Sequence, residues 1–181
     1  ATSVMTMIVW SFGFLRMGTV GIVAQAYGRS DYREIVKTIL RNIALALIAA
    51  FIIIIFFPAL KIVISYFFSP SDETEVLIKN YLNVRIFSIP AELIIYVLVG
   101  FYLGIQKTKI SSFLIIVLSS LNIIFSSLLV LTYDLKVFGV ALGTLISSYI
   151  TLIIFTIFTY NFIIQKFKVI PKFENLVVRS K

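Results

Sequence analysis

Five stretches of the chain are each long and apolar enough to cross a membrane as a helix, which takes about 20 mostly apolar residues. They cover residues 4–27, 39–57, 77–105, 110–132 and 137–164. The first holds Arg16 and the glycines Gly13, Gly18 and Gly21, the second stops at Pro58, and the third contains Arg85, Pro90 and Glu92. None alternates with period two, so a membrane β-barrel is excluded. The expected fold is all-α and integral to the membrane, a bundle of about five transmembrane helices. Its connections are short, which makes sequence neighbours antiparallel and adjacent. Residues 28–37 are expected as a solvated loop, and 106–109 and 133–136 as tight connections. A short apolar piece with Lys61, residues 59–68, is expected near the interface, separate from the second run. Asp72 and Glu75 have capping-box spacing, a helix-start signal.

Charge supports the same class. Only 13% of the 181 residues are charged, against about 25% in soluble domains. Cysteine and histidine are absent. That removes disulfides, thiolate or imidazole metal sites, a Ser-His-Asp triad and cysteine nucleophiles. No Asp lies inside a run, so an enzyme is not expected, nor a cofactor. The net charge of +8 sits in short clusters between apolar runs, which points to a membrane surface and not to nucleic acid. Arg29, Arg33, Lys37, Lys107, Lys109, Lys166, Lys168, Lys172, Arg179 and Lys181 fall on one side, and Lys61, Lys79 and Lys136 on the other. By the positive-inside rule this places the C-terminus in the cytoplasm of a multi-pass plasma (inner) membrane protein. The N-terminus is then outside. The chain opens on Ala1 and runs at once into apolar sequence, so it is expected to be an internal piece of a longer protein.

Three ionisable residues lie well inside runs: Arg16, Arg85 and Glu92. Intramembrane charges are costly and tend to face a bundle interior or a water-filled cavity. Arg85 and Glu92 are seven apart and share a helix face, with a helix-kinking proline, Pro90, between them. They read either as a proton or substrate site, or as a snorkelling arginine beside a locally bonded glutamate. The fourth run carries a polar stripe of Ser119, Asn122 and Ser126, and the fifth another of Thr144, Ser147 or Ser148, and Thr151. Facing stripes of uncharged oxygens suit a partly dehydrated cation, or serve as hydrogen-bonding glue between helices. Gly100 with Gly104 and Gly139 with Gly143 have the spacing of close-packing faces. Gly18, Gly21 and Gln25 line up in the same way and suggest tight packing.

The stretch Phe14-Leu15-Arg16-Met17-Gly18-Thr19-Val20-Gly21-Ile22-Val23-Ala24-Gln25-Ala26-Tyr27-Gly28 resembles the end of the second helix of multidrug and toxic compound extrusion (MATE) transporters. The likeness is to the bacterial branch named after a DNA-damage-inducible member. Val84-Arg85-Ile86 with Pro90-Ala91, Leu103-Gly104-Ile105-Gln106, Leu121-Asn122-Ile123-Ile124 and Gly139-Val140-Ala141-Leu142-Gly143-Thr144 continue the match in order. The resemblance implies helices two to six of twelve. Residues 1–165 are then most of an N-terminal lobe, and 166–181 a basic cytoplasmic tail or inter-lobe linker. The first helix and the C-terminal lobe become the partners, beside membrane lipid and small amphipathic substrates. The implied activity is export of amphipathic, often cationic compounds by antiport with Na+ or H+. Alternatives are a flippase for lipids or lipid-linked precursors in the same superfamily, or a membrane fragment inactive in transport. In relatives the fourth run reads Asn-x-x-x-Asp, and a Thr on the next helix completes a cation site. The resemblance carries that site onto Asn122, Ser126 and Thr144 as a weak Na+ site. Ser126 stands where relatives have Asp, which removes a coupling carboxylate from this segment. Glu92, with Arg85, becomes the default proton carrier.

Overall fold

The computed structural model describes residues 2–68 and 72–168. It is all-helical over these residues, in five spans. The first span is α1 (Thr2–Ser11) and α2 (Gly13–Gly28), separated at Phe12. The second is α3 (Tyr32–Phe68). The third is α4 (Asp72–Arg85), a 3₁₀ turn (Ile86–Ser88) and α5 (Ile89–Gly104). The fourth is α6 (Thr108–Leu131) and the fifth α7 (Lys136–Phe162), which ends in a π turn (Ile163–Phe167). α4 is described from Asp72 onward, and the residues before it that would test the capping-box signal lie outside the described residues. The connections 29–31, 105–107 and 132–135 are short.

Two expectations about element limits are corrected. The polar stretch 28–37 is not one loop. Asp31 Oδ1 accepts the backbone N–H of Glu34 at 3.1 Å, an N-cap that starts α3, and Ile35 and Val36 are already buried. Nor does Pro58 end the second helix: α3 runs through it to Phe68. Proline breaks one backbone bond, and side-chain contacts hold the helix beyond it. Lys61 Nζ donates to Asn83 Oδ1 on α4 at 3.0 Å and lies 5.1 Å from the centroid of the Phe57 ring.

The central element is α5, apolar on nearly every side apart from Glu92 and buried along most of its length, as such a helix must be. It packs against α2, α3, α6 and α7. Sequence neighbours are adjacent, as short connections require, with α6 lying along α7. Non-neighbouring spans meet as well, the first and third through α2 and α5, and the third and fifth through α4 and α5 against α7. The α2–α5 contact depends on missing side chains. A Cβ on Gly100 would lie 2.7 Å from the Arg16 carbonyl oxygen, and one on Gly104 would lie 2.7 Å from Val23 Cγ1. Gly143 plays the same part between α7 and α6, where a Cβ would fall 2.6 Å from the backbone N of Ser126. Among the described residues nothing packs closely on Gly18 or Gly21. A Cβ on either meets nothing within 4 Å, because α2 presents Leu15, Thr19, Val23 and Ala26 inward instead. Thr19 is fixed from α3 as well: Asn42 Nδ2 donates to its hydroxyl at 2.7 Å.

The core forms two clusters. One, around Phe101, Tyr102, Leu114, Phe155 and Phe167, lies towards the end that carries Lys107 and Lys109. The other, around Met5, Leu82, Ile89, Leu93 and Val97, lies towards the opposite end. Phe167 therefore belongs to the packed bundle, whereas residues 169–181 of the basic tail lie outside the described residues, as does the 69–71 part of the connection before α4.

Candidate functional site

The site begins with the break in the third span. Pro90 has no N–H to offer the Ile86 carbonyl one turn back. The chain tightens into the 3₁₀ turn, and the N–H of Ile89 bonds to Ile86 O instead. The next carbonyl, Phe87 O, accepts the Tyr149 hydroxyl of α7 at 3.0 Å. The break is thus satisfied from its own turn and from a neighbouring helix, as buried backbone requires.

Arg85 and Glu92 face each other across this break. Nη1 and Nη2 of Arg85 reach Oε1 and Oε2 of Glu92 at 2.5 and 3.1 Å. This is the fork geometry in which guanidinium and carboxylate bind most strongly. Arg85 Nη1 also donates to Ser88 Oγ. The Ser88 hydroxyl in turn donates to Arg85 O at 2.7 Å. The two charged side chains are only 11% and 12% exposed, so neither snorkels.

The pair forms one wall of a cavity of about 360 Å³ between the third, fourth and fifth spans, with Val9 of the first span at its edge. Opposite stand Ser119, Asn122, Thr144 and Ser148, with Tyr96 on the same helix as Glu92. The structure therefore joins two features that are far apart in the chain: the ionic pair of the third run and the polar stripes of the fourth and fifth. Asn122 Nδ2 donates to Thr144 Oγ1 at 2.9 Å, and Thr144 donates to Val140 O at 3.0 Å. Ser126, one turn along from Asn122, is not on the wall. It is pressed against Gly143, and its hydroxyl is buried with no hydrogen-bond partner among the described residues. The hydroxyls of Ser148 and Thr151 are in the same condition, and Ser148 lies on the cavity wall. Arg16 stands apart from the pair, with its guanidinium 6.0 Å from the centroid of the Tyr96 ring.

Chemically the wall is a neutralised ion pair, an amide and several hydroxyls set among the apolar side chains of Val9, Ile95, Leu118 and Ile123. It offers hydrogen-bond donors and acceptors with no net charge. Tyr96 escaped the sequence reading as a wall residue, and of the alternatives Ser147 and Ser148 it is Ser148 that lies on the wall. Tyr96 sits four residues after Glu92, a spacing that shares its helix face. Tyr149 could not have been found that way, because its partner is a backbone carbonyl 62 residues away.

Comparison with known proteins agrees with the architecture. The MatE family model matches residues 1–128. DNA damage-inducible protein F of Escherichia coli (strain K12) is 33% identical over 154 residues, covering 85% of this chain and 33% of that protein. Multidrug export protein MepA of Staphylococcus aureus (strain bovine RF122 / ET3-1) is 37% identical over 86 residues, which is 48% of this chain and 19% of that protein. Among solved structures, the inward-facing conformation of a multidrug resistance MATE family transporter of the MOP superfamily superposes with a TM-score of 0.83 at 21% identity. It matches 97% of this chain and 39% of its own. The chain thus spans about a third of the length of the first of these relatives. Five membrane-spanning helices in this arrangement, and a family model that matches well over half of the residues, lead to one assignment: the chain belongs to the MatE family.

Proposed function

We propose that this chain is most of the first lobe of an exporter that moves amphipathic, often cationic compounds out across the plasma membrane by antiport with Na+ or H+. Its partners on this reading are a preceding helix and a second lobe, with residues 166–181 leading towards the latter. The observation that carries the proposal is the cavity that brings Arg85, Glu92, Asn122 and Thr144 to one place. Glu92 supplies the exchange of charge. While it is ionised, the pair with Arg85 is neutral and the cavity tolerates a cation. When Glu92 takes up a proton, the Arg85 charge is left unbalanced and repels a cationic occupant. Proton and cationic substrate then exclude each other, which is the requirement for antiport. Na+ has a weaker claim. Asn122 and Thr144 offer uncharged oxygens, and the nearest carboxylate is already engaged by Arg85.

The test is Asn122→Ala in the full-length protein, reconstituted in proteoliposomes with a cationic dye. Efflux is expected to fall several-fold at an unchanged protein level. Full activity in that variant would show that the polar wall only packs helices.

Orientation follows from the basic bias, with the 29–31 and 105–107 connections and the C-terminus on the cytoplasmic side. The 181 residues contain no Cys, so single-cysteine probes report cleanly from this segment. Lys107→Cys is expected to react with an impermeant maleimide from the cytoplasmic side alone, and Tyr133→Cys from the outside alone. The reverse pattern would invert the assignment.

A further inference from the structure

A second concavity lies between α6 and α7, away from the polar cavity. It has a volume of about 470 Å³ and is walled by Ile110, Phe113, Val117, Ile154, Phe155 and Phe158, with Lys109 as its one polar residue. Its origin is visible in the helix contact. At the other end of this pair, Gly143 lets the two backbones touch. Here Phe113 and Phe155 stand between the helices with ring centroids 6.2 Å apart, and Phe155 meets Phe158 edge-on at 6.3 Å. Glycine at one end and phenylalanine at the other leave a gap that no side chain of the bundle fills. Phe113, Ile154 and Phe158 remain well exposed along it, so the gap opens to the surroundings of the bundle.

We propose that this groove seats an acyl chain of an anionic phospholipid, with the headgroup phosphate at Lys109. The walls exclude any polar occupant, because a polar group there would find no hydrogen-bond partner. The end of the groove selects the headgroup. Lys109 lies in the first turn of α6, which contains no acidic residue. Antiparallel packing of α6 and α7 brings Lys166 and Lys168, at the end of α7, to the same side as Lys107 and Lys109. All four lysines are exposed. A cluster of lysines at the membrane surface attracts anionic headgroups. A lysine ammonium at the mouth of an apolar slot adds a point charge to meet one phosphate.

The experiment uses the full-length protein in vesicles of equal amounts of phosphatidylglycerol and phosphatidylcholine. A photoreactive benzoyl-phenylalanine replaces Phe113, and the adducts are identified by mass spectrometry. Phe113 is 59% exposed, so the replacement does not disturb the core. The adducts at this position are expected to be enriched several-fold in phosphatidylglycerol. The same probe at Ile116, which is exposed on α6 but outside the groove, is expected to report the bulk ratio. Adding Lys109→Gln is expected to return the Phe113 position to the bulk ratio. Bulk composition at Phe113 from the start would make the groove ordinary lipid-facing surface and overturn the proposal. Peptide adducts there would overturn it too, by showing that another segment of the protein fills the groove.

Discussion

Replacing Glu92 by alanine is expected to destabilise the bundle by about 3–5 kcal/mol, the usual result of stranding one member of a buried ion pair. The guanidinium of Arg85 is held by Glu92 and Ser88 and is nearly out of solvent. Without the carboxylate it keeps one hydroxyl partner and a full charge. The double variant Arg85→Met with Glu92→Leu is expected to recover most of that loss, because apolar groups of similar volume often replace a buried pair at little or no net cost. The two outcomes are read from thermal unfolding of the full-length protein in detergent. The double variant also separates stability from function. On the proposed mechanism it folds, yet its efflux no longer responds to a pH gradient. If it keeps the pH response of the parent protein, Glu92 is a structural partner of Arg85 and the proton passes elsewhere. If alanine at position 92 costs less than about 1 kcal/mol, as at an exposed pair, the pair is not buried as described.

The spans were legible in the sequence because apolar length is a local property, and no tertiary contact turns a mostly apolar stretch of 24 residues such as Thr108–Leu131 into a loop. Their ends were less legible. Asp31 and Glu34 have the same capping-box spacing as Asp72 and Glu75, but the charges around them hide a helix start inside what reads as a polar loop. Pro58 looks like a stop, and it is one only where nothing supports the helix beyond it. The glycines show the limit more sharply. Gly18 and Gly21 have the same look as Gly100 and Gly104, yet only the latter pair meets a neighbour. Spacing marks a smooth face, and only the global arrangement decides whether a helix lies on it. The candidate site was visible in halves. The pairing of Arg85 with Glu92 follows from a separation of seven on one helix, and that of Asn122 with Thr144 from two helices joined by a short turn. Their meeting in one cavity depends on α4 packing against α7, a long-range contact that no local pattern encodes. The resemblance to the transporter family proposed Ser126 as a third oxygen ligand; it lies against Gly143 and is not among the residues that line the cavity.

That contact gives the other large expected effect. Gly143→Ala is expected to destabilise the α6–α7 pair by about 1–3 kcal/mol, the common range for overpacking, whereas Gly18→Ala is expected to be neutral or slightly stabilising. The contrast is steric. A Cβ at position 143 falls 2.6 Å from the backbone N of Ser126 and 2.7 Å from its Cα. Backbone atoms cannot rotate away, so the helices must part. At position 18 the new methyl meets nothing within 4 Å, and alanine favours helix over glycine by roughly 0.5–1 kcal/mol. The separation reaches the site directly, because Thr144 follows Gly143 in the chain. Restoring an ordinary contact of about 3.5 Å moves α7 outward by close to 1 Å. The same displacement stretches the Asn122–Thr144 bond from 2.9 Å past the roughly 3.2 Å limit of a good N–H···O bond. Gly143→Ala should therefore lower both the unfolding temperature and the rate of dye efflux in the full-length protein, and Gly18→Ala neither, provided that the proposed preceding helix and second lobe leave Gly18 as open as it is among the described residues. Matching behaviour of the two variants would mean that α6 and α7 do not touch at Ser126, and the cavity wall built from Asn122 and Thr144 would lose its foundation.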